Sequence, residues 1–214
     1  GCSPEYPVSL ESAHSVLEHM DRERYCPLMI GITREGKWLL YEGDIRKIAE
    51  DTWQDGCCTP ACLSSDKGSG KLLLFRQKRE GQTYVEERHV DVLLPILHGA
   101  NGEDGTVQAL AALAGIPLAG CGVLASALCM DKGLAHTLVK EAGIAVPKGI
   151  VLHSWEDWET ALAGGAPEIG FPMFVKPVKA GSSFGITKVS CEDELRPAVE
   201  NAMRYDDEVI MEEE

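Results

Sequence analysis

Lys176 closes the short run Phe174-Val175-Lys176-Pro177 and is followed by a small-residue stretch, Val178-Lys179-Ala180-Gly181-Ser182-Ser183-Phe184-Gly185, before a second run, Ile186 to Val189. Glycines at 181 and 185 relax the local φ/ψ limits and leave out Cβ atoms, so backbone N–H groups can approach an anion closely. A lysine ammonium beside them adds a mobile positive charge. This chemistry suits the phosphates of a nucleotide. The P-loop spacing Gly-x-x-x-x-Gly-Lys-Ser/Thr occurs nowhere in the chain, and the stretch does not open a Rossmann unit. Strand, glycine-serine loop and strand read instead as a hairpin lid. Loop composition alone leaves a structural turn and a phosphate loop equally open.

A second constellation lies earlier. Val92 to Leu97 is apolar on both faces, the pattern of a strand buried inside a parallel sheet. It ends at His98-Gly99-Ala100-Asn101-Gly102-Glu103-Asp104-Gly105-Thr106, and a helix is expected from about 104 to 114 with Val107, Leu110, Ala111 and Ala114 on one side. Open α/β folds bind ligands where a strand's carboxyl end meets glycines and the positive end of a helix. A structural role for His98 stays open beside a functional one. Near the start, Leu10, Ala13, Val16, Leu17 and Met20 follow helical spacing, with Ser9 as the expected N-cap and Glu5 just ahead as an ordinary solvated residue.

The elements that must carry these groups alternate. Strands are expected at 25–32 and 37–41, a short helix within 45–53, and a polar, turn-rich surface excursion at 55–70. Short strands follow at 72–75 and 84–86, and another begins at Gly115-Ile116-Pro117. Helices are expected at 125–130 and 131–142, the latter capped by Asp131 with Lys132 just inside and Gly143 ending it. Beyond come strand 149–152, helix 154–163, strand 172–176, strand 185–190, helix 192–204 and strand 208–213. Ser190 is a candidate cap for the last helix, Pro197 predicts a kink or a later start, and Leu195, Val199 and Met203 form its core stripe. The triple glutamate 212–214 reads first as a solvated strand edge; a hinge facing a nucleotide base and the start of a loop are the alternatives. The fold class is α/β, with an N-terminal open parallel-sheet domain at 1–131 and a smaller α+β unit of antiparallel hairpin type at 132–214.

Composition narrows the classes. With 34 acidic and 20 basic residues the net charge is −14, which argues against a broad nucleic-acid footprint or adhesion to an anionic membrane, while a local cationic pocket stays compatible. Hydrophobic residues at 44% and charged residues at 25% are ordinary globular usage. No apolar stretch reaches membrane-spanning length and no signal peptide is visible. The eight cysteines are placed poorly for a disulfide framework: Cys26 and Cys129 sit in apolar runs, and Cys57-Cys58 are adjacent. Cys57, Cys58 and Cys62 lack a visible second ligand pair for zinc, with His89 far along, so no metal ligands are assigned. Reduced thiols in a cytoplasm are expected.

Five ordered motifs coincide with one family. Ser3-Pro4-Glu5-Tyr6-Pro7-Val8-Ser9, Leu97 to Thr106, Gly120-Cys121-Gly122-Val123-Leu124-Ala125-Ser126-Ala127, Met130-Asp131-Lys132 and Phe174 to Gly185 resemble the D-alanine:D-alanine ligases of the ATP-grasp superfamily, with the flavour of vancomycin-resistance D-alanine:D-serine ligases. The resemblance spans the whole chain. It implies a pre-ATP-grasp domain that lacks its first strand here, the small ATP-grasp subdomain, and a large C-terminal ATP-grasp subdomain that would lie beyond Glu214. It implies ATP and Mg2+ as cofactors, with the metal ligands beyond residue 214, and D-alanine plus D-alanine or D-serine as substrates.

By position, the resemblance makes Glu5 the holder of the first D-alanine's ammonium, His98 a donor to the charge developing beside it, and Lys132 and Lys176 the lysines that reach the ATP phosphates. Ser182 would help place the first substrate and couple to Glu5, Ser183, Phe184 and Gly185 would complete the phosphate lid, and Glu212 or Glu213 would begin the segment that meets adenine. Pro7 departs from the family, where many relatives carry a second glutamate. The implied reaction is ATP-dependent ligation through a D-alanyl phosphate, for peptidoglycan precursors, by a cytoplasmic homodimer, with these 214 residues inactive by themselves. The alternatives are an inactive nucleotide-binding module and a carboxylate-amine ligase of another pathway; the Glu5 and His98 motifs disfavour the latter.

Overall fold

A computed structural model describes residues 1–78, 81–154, 158 and 168–214. The chain divides into two compact units, Gly1–Ser126 and Ala127–Glu214.

In the first unit, helix α1 (Tyr6–His19) precedes a five-stranded sheet of β1 (Met29–Ile32), β2 (Trp38–Tyr41), β3 (Cys58–Leu63), β4 (Lys71–Gln77) and β5 (Thr83–His89), with the one-turn helix α2 (Arg46–Ala49) between β2 and β3. The strands lie in chain order and every pairing is antiparallel, as short connections allow. One sheet face buries Leu40, Ala61, Leu63, Leu72 and Leu74 with Ala114 and Ile116, and Leu110 packs against them from helix α3 (Thr106–Ala114). Tyr41, Ile48 and Trp53 form a second cluster that Leu10, Ala13 and Leu17 of α1 cover. Each fully buried Leu in these clusters contributes about 1.5–3 kcal/mol.

Three expectations change here. The excursion expected at 55–70 contains β3, a central strand, because Thr59, Ala61 and Leu63 alternate inward while Pro60 and Cys62 face out. Its period of two was masked by cysteines, a proline and polar flanks. The parallel pairing expected for Val92–Leu97 comes down, among the described residues, to one bridge, Leu93 with Leu118, held by Leu93 N–H to Pro117 O and Ala119 N–H to Leu93 O, both 2.8 Å. Val92 and Leu94 are about half exposed, and Pro95 and Pro117 lack the N–H groups a longer ladder needs. Helix α1 starts at Tyr6 with Glu5 at the N-cap position, so Ser9 lies inside the helix instead of capping it; Pro7 in the first turn suits the earlier start.

Helix α4 (Val123–Met130) runs across the division between the units. In the second unit, α5 (Lys132–Glu141) begins where Asp131 caps it, its Oδ1 accepting Leu134 N–H at 2.9 Å, and ends before Gly143, whose φ is +79°. The sheet order is β6 (Gly149–His153), β9 (Glu208–Glu213), β7 (Met173–Pro177), β8 (Thr187–Val189), all antiparallel. Helix α6 (Glu192–Ala202) lays Leu195, Ala198, Val199 and Ala202 on Leu152, Met173, Val175, Val189, Val209 and Met211, with Met203 at the margin. It starts at Glu192 and runs through Pro197, and its N-cap is Cys191, not Ser190. Glu192, Asp193 and Glu194 in the first turn complement the helix dipole there. The helix expected at 154–163 lies almost entirely outside the described residues.

Candidate functional site

The first unit gathers residues from α1 and from the loop before α3. Ser3 Oγ donates to His98 O at 2.7 Å and accepts Glu5 N–H at 3.2 Å. One turn on, Ser9 Oγ accepts His98 N–H at 2.9 Å, and Ser12 Oγ lies 2.9 Å from His98 Nε2. Ser3, just ahead of α1, and Ser9 and Ser12, three residues apart on α1, together fix both the backbone and the ring of His98. Glu5, expected as a solvated residue on spacing alone, is 2% exposed. Gly99, at φ +76°, lets the loop pass so close that a Cβ there would stand 2.5 Å from Glu5 Oε1.

The same loop is braced from within. Glu103 Oε2 accepts Gly99 N–H at 2.7 Å, Asp104 takes Asn101 N–H at 2.8 Å and Thr106 N–H at 3.0 Å, and Gln108 Nε2 donates to Gly102 O at 2.9 Å. Burial raises the Asp104 pKa, but the hydrogen bonds from Asn101 and Thr106 outweigh it and hold the carboxyl below its ordinary value. One ligand atom each from Glu5, His98 and Glu103 lie within 4.8 Å of one another, so two carboxylates and an imidazole face a common point suited to a cation. Among the described residues this is the one group of three able to hold a metal ion, and sequence reading did not assemble it. Glu103 was visible inside its motif but carried no signal of which way it turns.

The second unit brings the other predicted residues together. Lys132, first in α5, donates through Nζ to the carbonyls of Val178, at 3.1 Å, and Ala180, so it clasps the base of the glycine-serine loop. Lys179 fixes the same base through its N–H to Asp206 and its ammonium to Glu208 at 2.8 Å. Burial would lower the Lys179 pKa, yet Glu208, Asp206 and Asp207 together raise it. At the tip, Ser182 and Ser183 are exposed and hold φ of +47° and +61°. Left-handed backbone at non-glycine residues costs on the order of 1–2 kcal/mol each, and such strain concentrates at functional loops. Phe184 N–H closes the turn onto Gly181 O at 3.1 Å, and the Phe184 ring meets Tyr205 at 6.1 Å between centroids.

Lys176 projects from β7 and forms an ion pair with Glu212 of β9. Glu212 is therefore not at a solvated edge: β9 lies between β6 and β7, and Glu212 is 6% exposed, while Glu213 and Glu214 are exposed. Glu213 Oε1 accepts Lys148 N–H at 2.9 Å, and Glu214 pairs with Lys188. All eight cysteines are free, and Cys26 and Cys129, which sit in apolar runs of the sequence, are exposed. Among the described residues no helix is long and apolar enough to cross a membrane.

Comparison with known proteins matches both units to one family. Residues 1–121 match the family model described as D-ala D-ala ligase N-terminus, and residues 138–214 match D-ala D-ala ligase C-terminus. The chain is 43% identical over 212 residues to a putative D-alanine–D-lactate ligase of Streptomyces coelicolor, covering 99% of this chain and 57% of that protein. It is 41% identical to the vancomycin/teicoplanin A-type resistance protein VanA of Enterococcus faecium, covering 100% and 57%. The crystal structure of VanG D-Ala:D-Ser ligase from Enterococcus faecalis superposes with a TM-score of 0.83 at 43% identity, over 100% of this chain and 60% of that one. The chain thus spans a little under two thirds of the length of these relatives. With both of its units matched in order, it belongs to the D-alanine:D-alanine ligase family of the ATP-grasp superfamily.

Proposed function

We propose that the protein supplies the N-terminal and small ATP-grasp subdomains, 1–131 and 132–214, of an enzyme that ligates D-alanine to a second D-amino acid, D-alanine or D-serine, at the expense of ATP. The observation that carries this reading is the buried Glu5 carboxylate meeting His98 and Glu103 at a glycine loop, in a chain of this family. The buried Glu5 carboxylate, with the exposed Glu103 beside it, answers a substrate ammonium by charge and hydrogen bonding, and His98, held by Ser3, Ser9 and Ser12, faces the same point.

The chemistry falls into two steps. An oxygen of the first D-alanine carboxylate forms a bond to the γ-phosphorus of ATP as the bond to the β,γ-bridging oxygen breaks, giving D-alanyl phosphate and ADP. The free amine of the second substrate then attacks the acyl carbon, phosphate leaves with the electron pair, and the new amide loses a proton to solvent. Both steps concentrate negative charge on oxygen, so the protein's contribution is alignment and charge neutralisation. Lys176 and Lys132 would meet the phosphates, with Ser182, Ser183, Phe184 and Gly185 as the lid over them. Ser182 would also position the first substrate, and Glu212 and Glu213 would present the edge that meets adenine.

ATP suits this donor set. The Lys176 ammonium has three donors and one carboxylate partner, and the loop tip is exposed and already bent. Mg2+ would neutralise phosphate charge; among the described residues Glu212, Glu213 and Glu214 are engaged by Lys176, Lys148 and Lys188. No residue of this chain is assigned to it. A cytoplasmic homodimer making peptidoglycan precursors completes the proposal.

The test is phosphate release from ATP, with product masses, by the enzyme that contains this chain, given D-alanine alone or with D-serine or D-lactate. A D-alanyl product supports the reading, and the choice of partner identifies a cell-wall or a resistance-type ligase. ATP binding with no turnover on any D-amino acid would leave a nucleotide-binding module instead.

A further inference from the structure

The ammonium pocket has the composition of a metal site. Glu5, His98 and Glu103 supply one imidazole nitrogen and two carboxylate oxygens within 4.8 Å of each other. Tetrahedral Zn2+ with bonds near 2.1 Å needs ligand atoms roughly 3.4 Å apart, so a small inward rotation of the exposed Glu103 side chain would complete three protein ligands and leave a fourth position open. Mixed imidazole and carboxylate ligation favours Zn2+, Co2+ or Ni2+ over the all-oxygen, water-keeping sites of Mg2+.

The surrounding contacts are those a metal ligand set requires. With Ser12 Oγ 2.9 Å from its Nε2, the His98 ring is held in place, and such outer contacts orient ligating histidines. Glu103 is held through Oε2 by Gly99 N–H at 2.7 Å, which leaves Oε1 to turn toward the common point. Two carboxylates match the charge of a divalent ion, and a cation between Glu5 and Glu103 is attracted by both.

We propose that this pocket binds a divalent transition-metal ion in competition with the substrate ammonium, so that Zn2+ acts as an inhibitor at the first amino-acid subsite. The competitive part of this proposal rests on the assignment of Glu5 to the ammonium; the metal site itself does not.

Co2+ reports the site through its visible absorption, read on the enzyme that contains this chain, without ATP or turnover. The expected result is a tetrahedral-type Co2+ band that Zn2+ abolishes, with affinity lowered at least about tenfold by His98→Ala and by Glu103→Gln. Circular dichroism checks the fold of each variant; Glu103 is exposed, so Glu103→Gln carries the test if His98→Ala does not fold. No band in the wild type, or unchanged affinity in a folded Glu103→Gln, overturns the site. Loss of the band on adding D-alanine supports competition. A variant-sensitive band that D-alanine leaves intact keeps the metal site but overturns the competition, and it counts against the ammonium assignment. D-Alanine binding without a Co2+ band overturns the metal site alone.

Discussion

Tyr6 follows Glu5 directly and is fully buried, and its hydroxyl is saturated. It donates to Asp51 Oδ1 at 3.0 Å and accepts from Trp53 Nε1 at 3.0 Å and Gln54 Nε2 at 3.1 Å. Arg34 stacks on the ring, 4.0 Å from its centroid, and pairs with Asp51 at 3.0 Å. Tyr6→Phe keeps the ring and removes the oxygen. Gln54 and Asp51 are exposed and rehydrate at little cost, whereas Trp53 is 2% exposed and its N–H is left without an acceptor. An orphaned buried donor costs about 1–3 kcal/mol; with the smaller losses at Gln54 and Asp51 the expected destabilisation is about 2–3 kcal/mol. In urea, where m is about 1–3 kcal/mol/M, the midpoint of the first unit's transition should fall by about 1–2 M, followed by near-ultraviolet circular dichroism. Trp53→Phe should cost clearly less in the Tyr6→Phe background than in the wild type, because there it removes the very donor that Tyr6→Phe has orphaned. A Tyr6→Phe midpoint matching the wild type, or strictly additive variants, would refute the claim that this hydroxyl anchors the start of α1.

Lys176→Ala should lose both ATP binding and stability, since it leaves the 6%-exposed Glu212 carboxylate unpaired; breaking such a pair costs roughly 3–5 kcal/mol. Adding Glu212→Gln should recover much of the stability in thermal unfolding but not the affinity for ATP, and equal unfolding temperatures for the two proteins would contradict the pairing. Gly185→Ala should destabilise the second unit and disorder the loop, because its φ is +70° and a Cβ would meet Tyr205 Cδ2 at 2.6 Å and Pro177 Cγ at 2.8 Å; unchanged amide protection around 181–186 by hydrogen exchange would be the contrary result. Asp104 has a folded-state pKa below its ordinary 3.8, so it binds protons less readily folded than unfolded and its contribution is present above pH 3.8 and lost as pH falls through the lowered value. Asp104→Asn should flatten that part of the acid-unfolding profile, and a profile superimposable on the wild type would remove Asp104 as a contributor.

The elements legible in the chain were those whose signals are local. Asp131 and Gly143 bracket α5, the spacing of Val107, Ala111 and Ala114 marks the buried side of α3, and Leu195 with Val199 marks the core face of α6. The loop at 178–185 and the glycines at 99–105 stand out because few residue types tolerate such backbone, and their order along the chain was enough for the family. What sequence misjudged depends on pairing between distant residues. β3 looked like a surface loop because burial by β2 and β4 cannot be read from Cys58–Leu63 alone, and Val92–Leu97 looked like a sheet strand although its apolarity finds a single bridged neighbour. Glu212 read as an edge residue until β9 was seen between β6 and β7, where a buried carboxylate is stable only because Lys176 stands beside it. Likewise Glu5 and His98, 93 positions apart in the sequence, meet only because Ser3, ahead of α1, and Ser9 and Ser12 within it reach the end of a distant loop. Propensity and capping are set by neighbours a few residues away and are written in the sequence; burial and charge pairing are set by which segments the fold brings together, and those only the tertiary structure decides.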